Sequence, residues 1–371
     1  MNRFLPVIAW GCVAAALTAC ARSSSAAEEP PRAVLVRAER LDDGLLARSK
    51  ARGANLIVVL VDDATTPLRL GVVGRAAARA EIAWAAWIEV GRCPSLADEH
   101  PEWMASPGNH HDDWRRLFPN LPKPSEHQAI KLWPWVPIGY EPAYEAQRQR
   151  VLELARRLPP SCSGLFLNDL QAGPSSCGCG NDQCRWALDY GTKPTAPKVA
   201  SVDDVASRFV ASIQTAFPDR LIVPVWTTEC EDVDLPNAPD GTGLCGGVPC
   251  SKGDCWRRYV AAWNPLAKTV RGPIAVAAWS ETFHRDPKTW PDAALALFQH
   301  PPRNATPLDD TRAFLAIEAW DKPEDAAFKL FEHYRTSSAG VLLALDKVDQ
   351  SWTPKLIKAT SNGEVKASAG H

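Results

Sequence analysis

Acidic and carboxamide side chains that directly follow short apolar runs are the residues of this sequence most able to do chemistry. The clearest case lies within residues 163–186, where an apolar run at 165–167 ends on Asn168 and Asp169 and opens into a loop rich in Gly, Pro and Ser. Parallel barrels present their reactive groups at the carboxyl ends of the strands, on the loops that follow. Asp169 is therefore predicted to mark the rim of an active site.

Comparable residues follow other apolar runs, and acids alternate with tryptophans among them. Glycosidic bond cleavage needs two carboxyl groups, one to protonate the leaving oxygen and one to act as nucleophile or base. Flat aromatic rings supply faces on which sugar rings can stack. Acids at strand ends also serve as helix N-caps or solvated loop groups, which is the plainer interpretation of any single position. The predicted rim comprises Glu89, Arg92, Asn168, Asp169, Trp226, Glu229, Trp279, Glu281, Glu318, Trp320 and Asp346.

These side chains must be positioned by eight short apolar runs that alternate with stretches of helical periodicity. The runs lie at 34–36, 55–61, 82–90, 165–167, 220–225, 273–279, 312–318 and 340–345. Continuous apolar strands are typical of parallel sheets covered on both faces. Eight βα units predict closure into a (β/α)8 TIM barrel. An open doubly wound sheet is the alternative, but no glycine-rich phosphate turn follows the first strand.

Three long connections are predicted, after the third, fourth and fifth strands. Long loops in compact domains are usually either functional or disordered. The connection after the third strand carries paired tryptophans, and Trp135 is interpreted as part of a wall of the substrate cleft. Packing of this side chain in the core is the alternative.

The N-terminus is typical of an export signal. A basic start precedes a nearly continuous apolar stretch at 4–17, which is shorter than the ~20 residues of a membrane-spanning helix. Residues 17–20, LTAC, match a lipobox, which predicts lipidation of Cys20; an ordinary secretory signal is the alternative. The predicted organisation is a signal peptide with lipobox at 1–20, a flexible tether at 21–32, the barrel at 33–352 and a polar C-terminal tail at 353–371.

Composition indicates which classes of partner this protein is expected to bind. Forty-one basic and 43 acidic residues are spread without a basic block, so nucleic acid is not expected as a partner. Fifteen tryptophans favour a carbohydrate ligand, although core packing also uses them. Ala21 after the lipobox cysteine resembles Gram-negative lipoproteins of the outer membrane, which implies an envelope protein facing the periplasm or the cell surface. No cofactor is predicted, and the oligomeric state is left open.

The cysteines are expected to rigidify the long loops. Eleven cysteines less Cys12 and Cys20 leave nine, and disulfides are the default in an exported chain. Closely spaced thiolates at Cys177, Cys179 and Cys184 also suit zinc, with Cys162 as a fourth ligand. Disulfides are the favoured interpretation, so no metal site is predicted. The cysteines expected to bridge the strand-five loop are Cys230, Cys245, Cys250 and Cys255.

Several segments together resemble the glycoside-hydrolase-like TIM barrels of bacterial envelopes. They are GLFLND at 164–169, AIEAW at 316–320, the helix YEAQRQRVLELARRL at 144–158, and HPEW at 100–103. In the large clan of retaining barrel glycosidases, an Asn-Glu pair after strand four supplies the acid/base and a Glu after strand seven is the nucleophile. The matching positions are Asn168, Asp169 and Glu318.

One departure from that pattern leaves the acid unassigned. Asp169 stands where the clan has Glu, and its side chain is about one methylene shorter. In other barrel glycosidases, an Asp after strand four is itself the nucleophile and the acid follows strand five or six. The resemblance would then imply Glu229 or Glu281 as the acid.

Two hypotheses of different class follow. The first is a lipid-anchored glycoside hydrolase that uses Asp169 and Glu318, with Glu281 or Glu229 as helper. In it, Asn168 would hydrogen-bond a sugar hydroxyl near the cleaved bond, and Trp226, Trp279 and Trp320 would stack on sugar rings. The remaining rim residues, Glu89, Arg92, Glu229 and Asp346, would contact the substrate. The second is a non-catalytic envelope lipoprotein that binds glycan in a barrel cleft. Burial of the two acids in salt bridges would favour the second hypothesis. A zinc-dependent hydrolase built on the cysteine loop is a third possibility.

Overall fold

The computed structural model describes most of the barrel and parts of its loops. The described residues are 30–104, 128–131, 134, 136, 138–139, 141–170, 202–227, 242–245, 248–251, 266, 270, 272–278, 312–334, 340–348, 352–353 and 355–358. By internal contacts the chain divides into Met1–Pro30 and Pro31–His371, and the elements below all belong to the second unit.

Eight parallel strands form a closed barrel, which confirms the predicted (β/α)8 fold. Each barrel strand pairs in parallel with a neighbour on either side, and the ring closes where the last barrel strand pairs with the first. All eight predicted apolar runs become barrel strands, since each is buried on both faces. Their bounds are β1 Arg32–Arg37, β2 Leu56–Leu60, β3 Ala83–Glu89, β5 Gly164–Asn168, β6 Leu221–Thr227, β9 Ile274–Ala278, β10 Ala313–Glu318 and β11 Gly340–Ala344. Around the barrel their order is β1-β11-β10-β9-β6-β5-β3-β2.

Helices cover the outside of the barrel. They are α1 Asp43–Ala51, α2 Pro67–Ala80, α3 Pro94–Glu99, α4 Glu141–Arg157, α5 Val202–Ala216 and α6 Glu324–His333, with 3-10 turns at Ala38–Arg40 and Pro101–Trp103. Local chemistry sets their ends: Thr66 caps the amide of Arg69 and Pro67 occupies the first turn of α2. No helix in the described part of the chain has the length and apolar composition to span a bilayer.

Strand alternation separates two apolar cores. Side chains such as Val34 and Trp84 point outward and pack under the helices. Side chains such as Leu35 and Trp87 point inward and fill the barrel. Inside, Phe166 stacks on Trp87 with centroids 6.0 Å apart and meets Phe314 edge-on at 5.4 Å. The interior is therefore a packed core, and chemistry is confined to its ends.

The long connection after β3 is tied to the C-terminal tail. Strand β4, Gln128–Lys131, lies within this connection and pairs antiparallel with β12, Lys355–Lys358. The indole Nε1 of Trp352 donates to Asp98 Oδ1 at 3.1 Å. The residues predicted as a polar tail thus contribute a strand. A second small ribbon, β7 Thr242–Cys245 with β8 Val248–Ser251, lies in the connection after β6.

Candidate functional site

The carboxyl end of β3 places Glu89 at the mouth of the barrel. Because side chains alternate along a strand, Glu89 shares the inward face with Trp87. Glu89 is 2% exposed, and its Oε1 accepts a hydrogen bond from Trp87 Nε1 at 2.5 Å. Trp87 was not among the predicted site residues. The two-residue spacing of Trp87 and Glu89 on one strand is the signal that could have identified it.

The next strand of the barrel brings Asn168 against this acid. Glu89 of β3 is aligned with Asn168 of β5. The assigned Nδ2 of Asn168 lies 3.1 Å from Oε1 and 3.0 Å from Oε2 of Glu89, and donates to them. The carboxamide that was predicted to bind a sugar hydroxyl therefore also holds the Glu89 carboxyl in place.

Asp169 follows directly in an unusual backbone conformation. Its φ is 55°, in the left-handed region that Asp and Asn tolerate better than other side chains. The side chain is fully buried and forms an ion pair with Arg92, with Oδ2 3.2 Å from Nε. An adjacent guanidinium favours the carboxylate form of an acid. The strained backbone thus carries a buried negative charge at the strand end.

The surroundings of Glu89 strongly favour its protonated form. The pKa of Glu89 is raised from 4.5 to about 8, mainly by burial and secondly by the negative charge of Asp169. The Arg92 charge and the hydrogen bonds from Trp87 and Asn168 act in the opposite direction and are outweighed. At neutral pH the site therefore combines a neutral carboxylic acid with a charged carboxylate, which are the two forms that acid catalysis and nucleophilic or basic catalysis require.

The predicted strand-seven acid also lies at this end of the barrel. Glu318 ends β10, is 5% exposed and is aligned with Ala344 of β11. Trp320, two residues on, is partly buried and packs against the core inside the barrel. Glu318 is thus the last residue of β10 and Trp320 follows it two residues on, while their predicted roles stay predictions.

Asp346 has a different environment. Its Oδ2 accepts from the backbone N–H of Arg37 at 2.8 Å, and its Oδ1 lies 2.6 Å from Nη1 of Arg40. Arg40 Nη1 also donates to the carbonyl of Leu345 at 2.8 Å. Both oxygens of this strand-end acid are therefore engaged where β11 meets β1, which is the point at which the barrel closes. The predicted contact of Asp346 with substrate stays a prediction.

The side chains of the remaining predicted site residues lie outside the described part of the structure. Trp226 belongs to β6 by its backbone. Cys20, Trp135, Glu229, Trp279 and Glu281 lie outside the described residues.

Two cysteines have described side chains, and both are free, buried thiols. Cys93 lies just beyond β3, with Sγ 3.3 Å from Ser95 Oγ. Cys162 precedes β5 and donates to the carbonyl of Gly164 at 3.4 Å, and burial raises the pKa of its thiol. Neither forms a predicted disulfide, and the proposed zinc ligand Cys162 is engaged with β5. Among the described residues, no group of three His, Cys, Asp or Glu side chains could hold a metal ion. The other predicted disulfide cysteines have no described side chains.

The described residues therefore form a (β/α)8 barrel with buried polar and acidic side chains at the carboxyl ends of its strands. The sequence matches no protein-family profile, and no curated protein matches it. Solved structures with a similar fold include a β-galactosidase from Marinomonas ef1, with a TM-score of 0.45 and 11% identity over 84% of this chain and 53% of that chain. This chain spans about half the length of that enzyme.

Two further structures match over most of both chains. An intracellular xylanase from Thermoanaerobacterium saccharolyticum gives a TM-score of 0.41 with 12% identity over 88% of this chain and 90% of that chain. A GH10 endoxylanase from a sugarcane soil metagenome gives 0.40 with 10% identity over 85% of each. These values describe a distant likeness of fold.

Proposed function

We propose that the protein is a glycoside hydrolase in which Glu89 is the proton donor and Asp169 the partner carboxylate. The observation that carries this proposal is a buried acid, with a pKa raised to about 8, next to a charged carboxylate at the mouth of the barrel. A protonated carboxyl can deliver its proton to the leaving oxygen as the glycosidic C–O bond breaks. This role extends the prediction from sequence, in which Glu89 was only a substrate contact.

Asp169 would then act at the anomeric carbon. As a nucleophile it would form a glycosyl–enzyme bond that water later hydrolyses, with retention of configuration. As a base it would deprotonate a water that attacks directly, with inversion. The anomeric configuration of the first product distinguishes the two routes. Glu318 is the second candidate for this role, as the buried acid at the end of β10.

The test is hydrolysis of a glycan panel by the form that begins after Cys20. We expect release of reducing sugar by the wild-type protein and loss of turnover in Glu89→Gln and Asp169→Asn. Glu145→Gln is a matched control, because Glu145 lies on the exposed face of α4 and pairs with Arg148. Turnover by folded Glu89→Gln equal to that of the wild type would refute Glu89 as the proton donor. Glu318→Gln tests the alternative partner.

Non-catalytic glycan binding is the second candidate function, and one observation favours it. Asp169 is fully buried in an ion pair with Arg92, as expected where a carboxylate serves structure instead of chemistry. A panel that shows saturable binding of a glycan without any release of product would establish this function in place of hydrolysis.

We further propose export and lipid anchoring at Cys20, with an outer-membrane location facing the periplasm or the cell surface. The support is the apolar stretch at 4–17 followed by LTAC and a short polar tether. Metabolic labelling with a radioactive fatty acid should mark the wild-type protein but not Cys20→Ser. Equal labelling of both proteins would contradict anchoring at this cysteine.

A further inference from the structure

Arg150 of α4 reaches the ends of two barrel strands although its own element lies outside the barrel. Its side chain is only 9% exposed. The Nε atom lies 2.9 Å from Oδ1 and 3.0 Å from Oδ2 of Asp63, beyond β2. Its Nη1 donates to the backbone carbonyl of Glu89, at the end of β3, at 2.9 Å. The Arg150 guanidinium thus connects helix α4 to the ends of strands β2 and β3.

These contacts lie where β2 and β3 stop pairing. The ladder between the two strands continues as far as Val61, whose N–H donates to the carbonyl of Trp87 at 2.9 Å. Two residues further along β3, on the same edge, the carbonyl of Glu89 accepts from Arg150. The guanidinium therefore takes the position of a strand donor at the last residue of β3, and a buried carbonyl needs such a donor.

Asp63 holds the guanidinium in this position and neutralises it. Ser95 Oγ of α3 donates to Asp63 Oδ2 at 2.5 Å, so the carboxylate is itself oriented. A guanidinium held through both carboxylate oxygens and a carbonyl has little freedom to move. Because Asp63 balances its charge, Arg150 acts on the site mainly through geometry.

We propose that Arg150 is a positioning residue that fixes the backbone of Glu89, and with it the place of the Glu89 carboxyl beside Asp169. It acts through the peptide carbonyl of Glu89 and needs no contact with substrate. The proposal rests on the proposed function only for its effect on turnover. The placement of the carboxyl can be measured without any substrate.

The test compares Arg150→Met with Arg148→Met, which changes an arginine on the same helix that pairs with exposed Glu145. The readout is the titration of the Glu89 carboxyl, followed by the ¹³C shift of its Cδ. The charged side chains that face this carboxyl, Asp169 and Arg92, are unchanged in both variants. The Asp63 charge that Arg150→Met leaves unpaired acts to raise the pKa of Glu89, so a lowered pKa reports the relaxed strand end. We expect Arg150→Met to relax the strand end, admit water and lower the pKa of Glu89 by about one unit or more. Arg148→Met should leave it at the wild-type value.

A role in stability alone would lower the melting temperature without moving this titration. An unchanged Glu89 titration in folded Arg150→Met would therefore overturn the proposal. Arg150→Lys, which keeps the charge but cannot hold the carbonyl and both Asp63 oxygens together, should show an intermediate shift. If Arg150→Met fails to fold, the lysine variant decides: a shifted titration supports the proposal and an unshifted one overturns it.

Activity gives a second readout. Displacement of a reacting group by about 1 Å can cost about 10²-fold in rate, so we expect a loss of kcat/KM of that order in Arg150→Met. If the wild-type protein hydrolyses no glycan, the proposed function fails while the titration experiment still stands. If hydrolysis is observed and Arg150→Met retains the wild-type rate and titration, only the positioning role fails.

Discussion

Two acids at the ends of the barrel strands β3 and β11 have the same sequence signature but different environments. Glu89 follows an apolar strand, is buried and receives hydrogen bonds from Trp87 and Asn168. Asp346 also follows an apolar strand, but it accepts the N–H of Arg37 and pairs with the half-exposed Arg40. Removal from water, without a dominant positive partner, makes the first acid neutral. Asp346, in contrast, connects the end of β11 to the residues that end and follow β1.

The largest expected effect is on turnover. Glu89→Gln keeps the shape of the side chain but cannot donate the acidic proton, so we expect kcat to fall by about 10²–10⁴-fold. Asp346→Asn should leave turnover unchanged and cost about 1 kcal/mol of unfolding free energy, since its ion pair is partly solvated. Steady-state kinetics and urea unfolding of both variants measure the changes in turnover and in unfolding free energy. Equal losses of turnover in the two variants would contradict the different roles assigned to Glu89 and Asp346.

Asp169→Asn tests whether charge or backbone matters after β5. Asn also tolerates the left-handed conformation of this position, so the change removes only the charge. Because the Asp169 charge raises the pKa of Glu89, its loss should lower that pKa and move the basic limb of the pH–rate profile to lower pH. Should turnover be too low for a profile, the ¹³C titration of Glu89 gives the same information.

Asp169→Ala is the companion variant. It removes the same charge but places a residue with a Cβ and no local hydrogen bond in the left-handed region, at an extra cost of about 1–2 kcal/mol. Equal stability of the Ala and Asn variants would show that the backbone conformation at Asp169 is not a source of strain.

Stability should depend on pH through Glu89. Its pKa in the folded protein, about 8, lies above the ordinary value of 4.5, so the folded state holds the proton more tightly than the unfolded state. The contribution is complete below pH 4.5 and is lost as the pH rises towards 8, by up to ~1.4 kcal/mol per pH unit. Urea unfolding across this range should show the decline in the wild-type protein but not in Glu89→Gln. A flat wild-type profile, after subtraction of the Glu89→Gln profile, would contradict the raised pKa.

The smallest expected effect separates two buried tryptophans of β3. Trp87→Phe removes the donor to Glu89 and should raise its pKa slightly, because that hydrogen bond lowers it. Trp84→Phe is the matched control: its Nε1 donates to Ser161 Oγ at 3.2 Å on the outer face of the same strand. Both changes should cost about 1–3 kcal/mol of stability. Only Trp87→Phe should shift the titration of Glu89.

The fold could be predicted from sequence because its determinants are local. Each barrel strand is a continuous apolar run, and alternation with helices requires parallel pairing. The carboxyl ends of parallel strands lie at one end of the barrel, so Asn168 and Glu318 could be assigned to the rim before any contact was known. The same reasoning assigned Asp346 to the rim, but could not show its side chain engaged at barrel closure.

The roles of the rim residues depend on contacts between distant parts of the chain. Arg37 and Asp346 are 309 residues apart in sequence, and no pattern in either segment indicates their pairing. The neutral state of Glu89 arises from burial, which depends on all the surrounding elements. Arg150 is one of many charges on an amphipathic helix, and its contacts with Asp63 and Glu89 distinguish it from Arg148.

The most direct test of the assignment of Glu89 as a neutral acid is the ¹³C titration of glutamate side-chain carboxyls in the wild-type protein and Glu89→Gln. We expect one carboxyl that titrates near pH 8 in the wild-type protein and is missing from the variant. A Glu89 carboxyl that titrates near 4.5, like an ordinary glutamate, would contradict its role as the proton donor.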